Sequence, residues 1–171
     1  MDGESRIPDL WKGMLDLYAE PGVAQACIEL QDTCDADVLL LLTAALLSNA
    51  GIPLSPALAD QLVAETRVWR TEVVIPLRTL RRRWRGLSSA ASLREQLKAL
   101  ELDAERAQVC KLQALLDAAS QPESFAGDAD LLGSNCTQLV PGLAQTPACA
   151  DALALFRERI ADAFAAESRG S

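Results

Sequence analysis

Histidine is absent from this chain. With it goes the side chain that most often serves as general base, activates a serine or cysteine nucleophile, or ligates zinc. Ser-His-Asp and Cys-His mechanisms are therefore excluded. Aromatic residues amount to only 4%, while alanine and leucine dominate, so strand-favouring types are scarce and helix formers plentiful. The five cysteines (Cys27, Cys34, Cys110, Cys136 and Cys149) contain no Cys-x-x-Cys pair and are odd in number. That argues against a thiol redox motif and a complete disulfide framework, and leads us to expect reduced thiols in a cytosolic protein. The opening "MDGESRIPDLW" lacks the basic and apolar regions of a signal peptide. The longest apolar run, "VLLLLTAALL", is half the roughly 20 residues a membrane span needs. The expectation is a cytoplasmic chain that is neither exported nor membrane-spanning, and no internal repeat is evident.

What is present is apolar and acidic. With 171 residues, half of them hydrophobic, the chain can form one core of ordinary domain size. The net charge of −8 argues against general binding to nucleic acid or to an anionic membrane. The charge is uneven, however. Residues 1–66 hold eleven acids and two bases, whereas residues 67–85 hold seven arginines and one acid.

The periodicity predicts an all-α, single-domain bundle of about six helices, with a helical core over 1–119 and a loop-rich extension over 120–171 that ends in an amphipathic helix. A first helix over 9–18 presents Leu10, Met14 and Leu17 on one side. Pro21 suits the first turn of a second helix, in which Val23, Cys27, Leu30 and Cys34 form one buried stripe and the cysteines act as small hydrophobes. The third helix, 37–49, is apolar nearly all round and belongs at the centre. Ser55 as N-cap and Pro56 at the first turn open a long fourth helix, whose stripe runs through Leu62, Trp69, Val73, Leu77, Leu80, Trp84 and Leu87. Pro76 removes the bond to the carbonyl of Glu72 and predicts a kink. Ser92 and Glu95 read as a capping box for a fifth helix ending near 119, forming an antiparallel hairpin with the fourth. A loop extends from 120 to 147. The last helix, 148–166, carries Leu153, Phe156, Ile160 and Phe164.

The segments "LWKGMLDLYAEPGVAQACIELQDTCDADVLLLL", "VVIPLRTLRRRWR" and "LKALELDAER" resemble a family of small bacterial proteins, domain of unknown function 2390, over about residues 7–116. The chain departs from the family pattern at Asp35, where glycine is expected, and at Leu39, where many relatives carry asparagine. The resemblance implies a small helical cytosolic protein and transfers no catalytic residue.

Two constellations carry potential chemistry. In "LQDTCDAD", Asp35 and Asp37 stand where a new helix needs acceptors for its free N–H groups and favours negative charge. A sharper alternative joins Asp32 and Asp37 to Glu101 and Glu105 as a magnesium site of an enzyme acting on a prenyl or other diphosphate. In "PLRTLRRRWR", Arg78, Arg81, Arg82 and Arg85 share a helix face that could receive a protein partner or phosphates. The competing in-chain reading sets Glu101 across from Arg78 and Glu95 across from Arg82 in the hairpin. Arg94, Lys98, Glu101 and Glu105 line the facing helix. The favoured function is a non-enzymatic protein-interaction module that needs no cofactor and binds a protein partner or a second copy of itself. RNA or ribosome contact through the arginine helix is the other alternative.

Overall fold

Side-chain caps decide where the first helices begin. Asp9 accepts from Lys12 N at 3.0 Å to open α1 (Leu10–Ala19), and Asp37 accepts from Leu39 N and Leu40 N to open α3 (Val38–Asn49). Between them α2 (Val23–Cys34) starts after left-handed Gly22. Ser55 and Pro56 open α4 (Pro56–Trp69) as the sequence predicts. The computed structural model describes residues 7–119 and 130–170, and these are all-helical, with no strand among them. Part of the expected 120–147 loop, residues 120–129, lies outside the described residues.

Pro76 acts one turn earlier than its own position. A π-helical turn, Arg70–Val74, joins α4 to α5 (Ile75–Arg83), and the Ile75 N–H bonds the Arg70 carbonyl five residues back. Widening the turn lets the helix continue past a residue that has no N–H and would crowd the carbonyl of residue 72. The extra residue also rotates the register. The buried face passes through Leu62, Thr66 and Val74, not through Trp69 and Val73 as the uninterrupted stripe predicts; Trp69 is exposed and its indole N–H donates to the Ala104 carbonyl at 2.9 Å. A 3₁₀ turn, Ser88–Ala90, then leads directly into α6 (Ala91–Ala118). No side chain caps α6, so the expected Ser92–Glu95 capping box does not form: Ser92 is already inside the helix.

The expected loop contains a further helix, α7 (Leu131–Leu139), before α8 (Pro147–Gly170). The sequence signal is weak there because Gly133, Ser134, Asn135 and Thr137 are poor helix formers. Tertiary bonds compensate. Fully buried Asn135 accepts from Leu54 N at 2.9 Å and donates to Ser48 Oγ and the Ile52 carbonyl, both at 3.0 Å. Counting α4, the π turn and α5 as one rod, seven helices are described rather than about six.

Helix α3 is buried almost throughout and packs against α1 and α7, while α8 packs along α2 and α6 meets α1, α4 and α5. Phe156, Ile160 and Ala163 of α8 and Leu139 of α7 share one apolar cluster with α1–α4 and the second half of α6. A disulfide between Cys34 and Cys149, whose Cα atoms are 5.7 Å apart, ties the end of α2 to the start of α8. This overturns the expectation of five reduced thiols and of Cys34 as a plain hydrophobe. Cys27 keeps that role: it is fully buried, and burial pushes its thiol pKa up to about 12.

Candidate functional site

Helical spacing brings three faces together. Arg78, Arg81 and Arg82 recur at steps of three and one on α5, but Arg85, expected on the same helix face, lies in the turn past its end, its N–H bonding the Arg82 carbonyl at 3.1 Å. Lys98, Glu101, Leu102 and Glu105 share a face of α6 by the same kind of spacing, and Ile28, Gln31 and Asp32 one of α2. These faces line an open groove of about 740 Å³, with Tyr18 at one wall. The hairpin sets α5 against α6.

Glu101 is the centre of the ion pairing. It is only 5% exposed; Arg78 Nε donates to it at 2.9 Å, Arg81 Nη2 at 3.1 Å, and Arg81 Nε bonds its second oxygen. Arg78 Nη2 also reaches Glu105 at 2.5 Å, and Arg82 Nη2 reaches Asp32 at 2.6 Å. Burial opposes ionisation of Glu101, but Arg81 and Arg78 outweigh it and hold its pKa below the usual glutamate value. At Glu105 burial wins over Arg78, and the pKa is raised. Burial also works against the charge on Arg78, yet its two acidic partners raise its pKa further. The in-chain alternative thus describes Arg78, and Arg81 joins it at Glu101; Arg82 turns instead to α2.

Arg85 and Lys98 differ. Both are exposed at the groove and make no ion pair among the described residues. Of the four arginines singled out in the sequence, Arg85 alone is left to meet another molecule with its full charge.

The acidic step before α3 forms a separate structure. Asp37 is the N-cap, accepts from Gln108 Nε2 at 2.9 Å, and lies 3.5 Å from Arg70 Nε. Arg70 Nη2 donates to the Asp35 carbonyl at 2.7 Å and to its carboxylate at 3.0 Å. Burial raises the Asp37 pKa despite Arg70. Sequence reasoning missed Arg70, whose side chain is brought to this step by the π turn. Asp32, Glu101 and Glu105 line the groove, but Asp37 lines a smaller pocket with Arg67 and Arg70. Every one of the four acids faces a guanidinium, and among the described residues no group of three or more Cys, Asp or Glu is placed to hold a metal ion. The four acids are thus divided between two pockets.

A family model described as a protein of unknown function, DUF2390, matches residues 9–112. The chain belongs to this family. No curated protein and no solved structure matches it. In this DUF2390 member the groove lies wholly inside the matched span, while α7, α8 and Cys149 lie beyond it. Asp35, where the resemblance leads one to expect glycine, has a physical account. Asp35 has φ of 49°, the left-handed region that glycine enters freely and aspartate tolerates. It closes α2, its N–H bonding the Gln31 carbonyl at 3.2 Å. Leu39, where the resemblance leads one to expect asparagine, packs partly buried against the apolar core. Among the described residues no helix is long and apolar enough to cross a membrane.

Proposed function

We propose that this protein is a non-enzymatic helical interaction module that presents the α5–α6 hairpin to a protein partner. The observation that carries the reading is the hairpin's lack of a core. Helix α5 buries no residue, α6 buries none before Glu101, and Leu87, Leu93 and Leu100 are each about half exposed. Helices gain most of their stability from packing an apolar face, so an arm held out by ion pairs and carrying exposed leucines is built for contact rather than for its own support. A magnesium-dependent chemistry needs acids that converge, and Asp37 stands apart from the other three.

The test places a photo-cross-linking amino acid at Leu87 and at Leu93, with Leu15 on α1 as a comparably exposed control. The expected result is a discrete protein adduct from the two arm positions, competed by excess unlabelled protein and missing from the Leu15 control. Identical adducts from all three positions, or none, would refute the reading. Light scattering over a range of concentrations tells a second copy of the chain from a different partner.

A further inference from the structure

We infer that the groove between α2 and the α5–α6 arm is a recognition site for a short amphipathic acidic segment of a protein partner. Such a segment would set apolar side chains on Ile28, Tyr18 and Leu102 and carboxylates on Arg85 and Lys98. The inference rests on the interaction-module reading and names the chemistry of its partner.

Three observations carry it. Within a chain of net charge −8, this groove reverses the sign: five cations line it against four acids. The inner cations are already neutralised by Glu101, Glu105 and Asp32, so the surplus positive charge is that of Arg85 and Lys98 less the exposed Glu95 that lines the same groove. Beside them the surface is apolar, with Tyr18, Ile28 and Leu102 exposed by 40%, 42% and 49%. A surplus of one charge suits one or two carboxylates. It does not suit a phosphate backbone, whose binding depends on neutralising several charges at once. An open trough between helices is also the geometry in which a further amphipathic helix docks, anchored at every third or fourth residue.

The experiment is selection from a random peptide library displayed against the full chain, without assuming a natural partner. The expected outcome is enrichment of peptides with acids and large apolar residues spaced three and four apart. Their affinity falls at least about tenfold in the double variant Arg85→Glu, Lys98→Glu, and similarly in Ile28→Asp. Because Arg85 and Lys98 hold no in-chain partner, these variants should unfold at the wild-type temperature; the neutral pair Arg85→Ala, Lys98→Ala serves if the reversed charges disturb the arm. No enrichment, an enriched set without acids, or binding indifferent to the variants overturns the inference. So does retention of a labelled RNA that is lost in the double variant, or a dimer that the same change dissolves. If arm cross-links persist while the groove variants change nothing, the module reading stands and the groove assignment alone fails.

Discussion

Helix α3 buries every residue from Leu40 to Leu47, whereas α5 buries none. The first is fixed by the removal of apolar surface from water, a non-directional force proportional to area. The second is fixed by directional pairs between Arg78, Arg81 and Glu101 and by the π turn at its root. Burial makes α3 hard to displace and leaves only its Asp37 cap open to titration. Ion pairing makes the arm sensitive to pH and salt, and leaves its outer surface available.

The comparison can be broken most forcefully in the core. Leu41→Ala should destabilise the fold by about 4 kcal/mol in chemical denaturation, since Leu41 is fully buried, while Leu80→Ala on α5 should cost about 1 kcal/mol or less. Equal losses would erase the distinction between the regions. The disulfide tests how the α2 wall is held. Because it closes a loop with a sequence separation of 115 residues, Cys34→Ser should lower stability by about 3 kcal/mol. Alkylation under denaturing, non-reducing conditions should label three of the five cysteines; labelling of all five would disprove the link.

Glu101→Gln should cost about 2 kcal/mol, because two partly buried guanidinium groups would share one neutral acceptor. Its pH signature is specific. The folded-state pKa of Glu101 is depressed, so its contribution is full above the ordinary glutamate range and disappears as pH falls through the folded value. Thermal unfolding of the wild type should lose that increment on acidification, and the variant should not. The smallest effect is expected at Asp37→Asn, under about 1 kcal/mol at neutral pH. Asparagine caps equally well through Oδ1, and if the Gln108 amide turns over, its unpartnered Oε1 accepts from the new Nδ2 in place of the bond that Gln108 Nε2 now donates to Asp37. Since burial raises the Asp37 pKa, this group makes the fold less stable as pH rises through the interval between its unfolded and folded values. The asparagine variant should lack that decline.

Local chemistry in the chain announced α1, α3, the Ser55–Pro56 start of α4 and the pairing of Arg78 with Glu101, because each depends on neighbours a few residues away or on the simple register of a hairpin. The features that escaped depend on distant partners. Asn135 stabilises α7 through Ser48, Ile52 and Leu54, and Cys34 finds Cys149 only after α8 folds back on α2. The odd number of cysteines pointed away from that pair. The arginine face was legible as a patch, but its division into paired Arg78, Arg81 and Arg82 and unpaired Arg85 required Asp32, which approaches from fifty residues earlier in sequence.

The π turn lets the arm carry one surplus residue without changing where it points. In a regular helix each added residue turns everything beyond it by about 100° around the axis, whereas the wider turn over Arg70–Val74 absorbs that rotation locally. One alanine inserted after Leu77, in the regular part of α5, would have no such outlet. Arg78 and Arg81 would swing away from Glu101 and Arg85 would leave the trough beside α2, with no groove-lining side chain altered, separating the effect of aim from the effect of composition.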